Sequence, residues 1–155
     1  MEDEIEPAKD VVAVEELNAA EYIGTGTSNN VTWVIDANGK LTITGTGDWE
    51  RGEYSDYSYC EFESPWIVYC DEITSAEVIL SDVTDLTDMF CACSKMMTVD
   101  LSGLDTSHVS YMSGMFSLCS SLETVDLSRF DLSNIENSHN IFNGCFNLRE
   151  IISLL

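Results

Sequence analysis

The chain is poor in positive charge. Its 155 residues hold six lysines and arginines against 28 aspartates and glutamates, a formal net charge of −22. Such a surface repels phosphate backbones and anionic bilayers, so neither nucleic acid nor an acidic membrane is an expected partner. A cationic partner or a divalent metal stays open. So does the plain reading that excess acid keeps an exposed protein dispersed. No apolar run approaches the ~20 residues that a membrane-spanning helix needs. The opening MEDEIEPAKD is acidic and lacks the pattern of a signal peptide. It suits a mature segment that has lost its leader, and equally a cytoplasmic protein. The two histidines, His108 and His139, lie in no nucleophile motif, and no GxSxG is present. YIGTGTSNN has the glycines of a phosphate loop without its lysine or following helix. The six cysteines include no CxxC pair and no zinc spacing. These absences point away from an enzyme, a cofactor and a resident metal.

What is present is a repeat. Residues 99–124 read VDLSGLDTSHVSYMSGMFSLCSSLET, and residues 125–150 read VDLSRFDLSNIENSHNIFNGCFNLRE. Val99, Leu101, Phe116, Cys119 and Leu122 return 26 residues later as Val125, Leu127, Phe142, Cys145 and Leu148. One step earlier stand Phe90, Cys93 and Met96, and one step later Ile151. The earlier unit looks shortened, with Val78-Ile79-Leu80 as its strand and a gap five residues shorter than that from Leu101 to Val109.

Two periods alternate inside a unit. Val99-Asp100-Leu101 alternates apolar and polar, as a half-buried strand does. Val109, Met112, Phe116, Cys119 and Leu122 are three or four apart, which predicts one face of a helix. Ser138 replaces the methionine in the next unit, and DTSH and DLSN offer capping oxygens before each helix. A strand, turn and helix of this length predict an α/β fold, a leucine-rich-repeat solenoid of short parallel strands and helices over residues 78–155.

The phrase VDLSGLDTSHVSYMSGMFSLCSSLETVDLSRFDLSN resembles the repeats of the BspA-like leucine-rich-repeat surface proteins of bacteria. The F--C--L triad is held as Phe116, Cys119, Leu122 and as Phe142, Cys145, Leu148. VTWVIDANGKLTITGTG followed by SPW also resembles the segment that precedes the first repeat in that family. The resemblance implies a secreted or cell-surface protein concerned with adhesion.

The segment before the repeats reads as a cap over residues 22–77. Val31, Trp33 and Ile35 alternate, as do Leu41 and Ile43, and Asn38-Gly39 between them is a hairpin turn signal. Ser64-Pro65 predicts a helix start, with Ser64 as the cap. Residues 1–21 hold eight acids and one lysine and read as an acidic mobile leader. The aromatics of DWERGEYSDYSYCEFE, Trp49, Tyr54, Tyr57, Tyr59 and Phe62, suit either an exposed recognition loop or the core of the cap. ISLL opens another unit with no polar closing cap, and an uncovered end invites end-to-end self-association.

Cys93, Cys119 and Cys145 share one repeat position and read as small apolar core residues. On stacked helices they would stand about 10 Å apart, too far for a bridge. Cys60 and Cys70 can pair if the loop between them folds back, which leaves Cys91 over.

The candidate binding surface is the outward strand face: Thr98, Asp100, Ser102, Thr124, Asp126 and Ser128. Carboxylates stacked ~5 Å apart repel each other. A bound cation or a basic partner side chain would relieve this, and so would solvent and neighbouring hydroxyls. The expected function is a non-enzymatic bacterial surface module binding host or neighbouring-cell surface proteins or glycans. The alternative is a spacer or stalk with no ligand of its own.

Overall fold

A computed structural model describes residues 21–53, 60 and 62–153. The expected leader at 1–21, apart from Glu21, and the aromatics Tyr54, Tyr57 and Tyr59 lie outside the described residues. Among the described residues nine strands follow one another: β1 Tyr22–Ser28, β2 Val31–Asp36, β3 Lys40–Thr46, β4 Gly52–Glu53, β5 Phe62–Glu63, β6 Ser75–Ser81, β7 Thr98–Leu104, β8 Thr124–Asp126 and β9 Glu150–Ile152. The largest sheet is mixed and runs in the order β1-β2-β3-β6-β7. Its first three strands are antiparallel, and β3, β6 and β7 are parallel. Strands β8 and β9 form a second, parallel pair.

The hairpin written by VTWVIDANGKLTITGTG forms. Asp36 accepts from the backbone N–H groups of Asn38 and Lys40, and Gly39 takes a left-handed φ of 82° at the turn. Val31, Ile35, Leu41 and Ile43 are fully buried on its inner face. Strand β1 adds an edge that the glycines of YIGTGTS disguised. A Cβ on Gly24 would meet the Tyr69 ring at 2.7 Å, and one on Gly26 the Trp33 ring at 2.6 Å. These glycines let aromatic rings lie against the backbone.

The expected α/β leucine-rich-repeat solenoid is not what the chain forms. Among the described residues the helical content is one 3-10 turn, Ile67–Tyr69. The helix expected from Ser64-Pro65 shrinks to that turn. The predicted repeat helices are instead chains of tight turns. Met89, Cys91 and Cys93 donate to the carbonyls of Leu86, Asp88 and Phe90, three residues back. Met115, Ser117 and Cys119 do the same one unit on. Left-handed φ values at Asp88 and Ala92, Gly114 and Leu118, and Asn140 and Gly144 break any run of helical residues. Successive three-residue turns still put an apolar side chain inward every three or four positions, so the spacing matched a helix.

The remaining backbone N–H groups point along the stack. Leu86, Asp88, Phe90 and Ala92 donate to the carbonyls of Tyr111, Ser113, Met115 and Ser117, at 2.7–2.9 Å. Met112, Gly114, Phe116 and Leu118 donate in turn to Asn137, His139, Ile141 and Asn143. Inside this ladder the rings of Phe90, Phe116 and Phe142 stack at centroid distances of 5.5 and 5.6 Å. The cysteines are more than filler. Cys119 Sγ donates to the Phe90 carbonyl at 3.2 Å, and Cys145 Sγ to that of Phe116 at 3.0 Å. Burial pushes the Cys119 and Cys145 thiols up, which keeps them protonated as donors.

The first unit's outer carbonyls have no preceding unit to serve them. Side chains of the N-terminal segment take that place. Arg51 donates to the carbonyls of Asp85 and Thr87, and Trp66 Nε1 to that of Met89 at 2.8 Å. Arg51 also lies over the Trp49 ring at 4.9 Å and pairs with Asp85 at 3.3 Å. Trp49 is buried, so it belongs to the core and not to an exposed recognition loop. A disulfide joins Cys60 to Cys91, with Cα atoms 6.0 Å apart. The alternative Cys60–Cys70 pairing is therefore excluded. Cys70 sits in the main core, while Cys60, Ile67 and Cys91 form a separate cluster, and the Phe62 N–H donates to Asp88 Oδ2.

The Phe116→Ala variant should lose about 3–5 kcal/mol of stability, because its ring is fully buried between two others. Phe142→Ala, at the half-exposed end of the stack, should lose clearly less. Denaturant unfolding of both variants measures the order, and equal losses would contradict the ladder as the source of stability.

Candidate binding face

Strands β7 and β8, with Ser128 just beyond β8, carry the predicted surface. Thr98, Asp100 and Ser102 on β7 and Thr124 and Asp126 on β8 are exposed, and Ser128 is half-exposed. The alternation behind this is clear in β7 and β8, where Leu101 and Val125 are buried between exposed neighbours. The register adds residues that the sequence reading missed. Ser75 pairs with Thr98, Ala76 with Val99 and Glu77 with Asp100. The strand of the first unit is thus aligned two residues earlier than Val78-Ile79-Leu80 suggested. A register irregularity between Glu77 and Ile79 absorbs part of the length difference. The acidic row therefore begins one strand sooner, as Glu77, Asp100 and Asp126. Misplacing the short unit hid its first member.

Two of the few cations sit on this row. Lys40 Nζ bridges Glu77 at 2.7 Å, and this hydrogen bond raises the lysine pKa. A shallow depression beside it is lined by Lys40, Ser75, Glu77, Thr98 and Asp100. A second, lined by Asp100, Ser102, Asp126 and Arg129, lies next along the face. Arg129 acts electrostatically on both aspartates.

The aspartates also do local structural work. Asp100 Oδ1 accepts from the Ser102 N–H at 2.9 Å and from its hydroxyl at 2.7 Å. Asp126 accepts from the Ser128 N–H at 2.9 Å. Asp105 serves Ser107 and Asp131 serves Ser133 in the same way, and Asp85 serves Thr87. The recurring Asp-x-Ser/Thr letters are turns in which a carboxylate stands in for a backbone acceptor. Ser102, through its hydroxyl first and its N–H second, holds the Asp100 carboxyl below the usual carboxylate range. Ser128 does the same for Asp126. Neighbouring hydroxyls, Lys40 and Arg129 thus offset the repulsion that the sequence posed. Among the described residues no group of three or more His, Cys, Asp and Glu is placed to hold a metal ion.

The other chemistry-bearing residues fall elsewhere. His108 is exposed near Asp82, at 3.7 Å, and hydrogen-bonds Ser107. His139 lines a polar cleft on the turn side with Asp88, Ser113, Asn137 and Asn143.

Residues 69–154 match a family described as "Mycoplasma protein of unknown function, DUF285". The chain belongs to this family. The match spans all three units and the end of the segment before them. No curated protein and no solved structure matches the chain. No helix among the described residues is long and apolar enough to cross a membrane.

Ser102→Ala should raise the Asp100 titration midpoint toward the usual carboxylate range while Asp126 keeps its own. Both carboxyls are depressed in the fold, so their stabilising effect holds above the ordinary carboxylate range and fades as pH falls through the lowered value. Side-chain carboxyl shifts followed by NMR against pH measure this. An unchanged Asp100 midpoint would remove the serine as its cause.

Proposed function

We propose that this chain is a non-enzymatic binding module of a bacterial cell surface, acting through its strand face. The observation that carries the reading is the acidic row of half-exposed Glu77, paired across β6 and β7 with exposed Asp100, and exposed Asp126, which shares one depression with Asp100. Its side chains leave the core untouched, so they are free to vary with a partner. The fitting partner is a host or neighbouring-cell surface protein that presents basic or hydrogen-bond-donating groups; a hydroxyl-rich glycan is the second class. The likeness of the repeat phrase to BspA-like surface proteins supports the same reading. That likeness rests on the phrase and not on the leucine-rich-repeat fold it implied. The Cys60–Cys91 disulfide suits an oxidising, extracellular setting.

One observation favours the spacer reading. Lys40 and Arg129 already answer part of the acidic row, and the aspartates already make turns. A stalk would need no more.

The two readings separate in a binding screen against matrix proteins and glycans at physiological salt, with and without calcium. The variant to set beside the wild type is Asp100→Asn/Asp126→Asn, because asparagine keeps the turn acceptor and drops the charge. Saturable binding that falls at least ~10-fold in the variant, the scale of one desolvated charge contact, supports the strand face. Binding that survives unchanged moves the site elsewhere, and no binding to any probe favours the spacer.

A further inference from the structure

The repeat sets equivalent residues in rows across the units, and one row has a gap in its middle. Asp88, Gly114 and Asn140 stand 26 residues apart at the same point of the phrase, and all three take a left-handed φ, of 55°, 62° and 57°. The middle member has no side chain. A Cβ on Gly114 would collide with Asp88 Oδ1, so the carboxylate of the first unit lies over the glycine of the second. The space left is a cleft of about 130 Å³ on the turn side. Its walls come from all three units, with Asp88 from the first and Asn140 from the third, so the gap lies within the array.

The groups around it are polar and their roles are fixed. Ser117 is 4% exposed, and its hydroxyl, which lines the cleft, has no hydrogen-bond partner among the described residues. Asp88 is equally buried; its Oδ2 accepts from the Phe62 N–H at 3.1 Å, while Oδ1 faces Gly114. Asn137 Oδ1 accepts from the Ser113 hydroxyl at 2.6 Å and from the His139 backbone N–H at 3.3 Å. A backbone N–H must face an oxygen, so the Asn137 amide is oriented with its NH2 as the group left to donate. The cleft therefore offers an acceptor in Asp88, a donor in Asn137 and, in Ser117, a hydroxyl that can serve as either.

This combination selects the ligand. No lysine or arginine lines the cleft, which disfavours an anion. No aliphatic side chain lines it, which disfavours an apolar ligand. An ammonium group or a metal ion accepts no hydrogen bond, so the Asn137 NH2 would stay unpaired against it. A hydroxyl both donates and accepts, and two neighbouring hydroxyls match an acceptor and a donor at once. We infer that the cleft binds a hydroxyl-rich ligand, with two neighbouring hydroxyls of a sugar ring entering among Asp88, Ser117 and Asn137. The volume is room for on the order of four waters, which admits such a pair and not a whole oligosaccharide. The site is separate from the strand face and does not rest on the function proposed for that face.

NMR titration of the full, isotope-labelled chain with the methyl glycosides of glucose, galactose and mannose tests this. Tetrahydropyran, the same ring without hydroxyls, methylammonium chloride and calcium chloride are the controls. At least one glycoside should shift the Ser113, Ser117, Asn137 and His139 resonances saturably, with a dissociation constant on the order of millimolar for so few polar contacts. Ser117→Ala and Asn137→Asp should each weaken that binding about 5-fold or more, the scale of one lost hydrogen bond. Asn137→Asp keeps the acceptor for Ser113 and His139 and removes only the donor, and unchanged resonances away from the cleft verify that each variant is folded. The inference is overturned if tetrahydropyran binds as well as the glycosides, or if methylammonium or calcium shifts these resonances and no glycoside does. It is overturned too if either folded variant binds the glycoside as tightly as the wild type, or if the glycosides shift only residues outside the cleft. No saturable shift up to about 50 mM glycoside, well above the constant expected, makes the cleft an ordinary hydrated gap and likewise overturns it.

Discussion

The row of N–H to carbonyl bonds between successive units is the interaction on which the rest of the structure depends. In a helix each backbone group finds its partner within its own segment. Here half of the turn-segment donors close local turns, and the other half reach the neighbouring unit. No turn segment is complete alone. Its buried polar groups are satisfied only by a neighbour, and leaving one unpaired costs about 1–3 kcal/mol. The stacked phenylalanines and the cysteine thiols lie within this frame and follow the same spacing.

This dependence explains the N-terminal segment. A ladder whose first carbonyls faced solvent-free space would be unstable at that end. Arg51 brings two donors in a fixed fork and Trp66 a third, which suits a row of carbonyls better than any single-donor side chain would. The scarcity of cations makes their placement telling. Arg51 closes the ladder, Lys40 holds Glu77, and Arg129 faces Asp100 and Asp126. The Cys60–Cys91 bridge fastens the β4–β5 region to the first unit, so the closing groups cannot drift from the carbonyls they serve. The large sheet also passes without interruption from β3 into β6, and one core runs beneath both parts.

The candidate face is a by-product of the same economy of turns. The aspartates of the repeated phrase, within β7, at the end of β8 and in the turn beyond it, each answer a serine two residues on. That local duty fixes them in register and exposes their outer oxygens. A surface with evenly placed, ionised carboxylates results whether or not a partner uses it. This is why the phrase alone does not distinguish a binder from a spacer, and why charge rather than turn geometry is the property to vary.

The repeat length, the hairpin at Asn38-Gly39, the buried positions Phe116, Cys119 and Leu122, and the exposure of Asp100 and Asp126 were all legible in the order of residues. Each of these follows from local turn chemistry or from the one-sided burial of a short segment. Tertiary structure alone decided that the spacing of Val109, Met112 and Phe116 means turns and not a helix. Both conformations bring the same side chains inward, and only the destination of the backbone N–H groups separates them. Contacts between distant segments also made the pairings Cys60–Cys91 and Glu77 with Asp100, and sent Arg51 to the carbonyls of Asp85 and Thr87. Each of these depends on which residues meet when the cap folds onto the first unit, and no local pattern encodes that meeting.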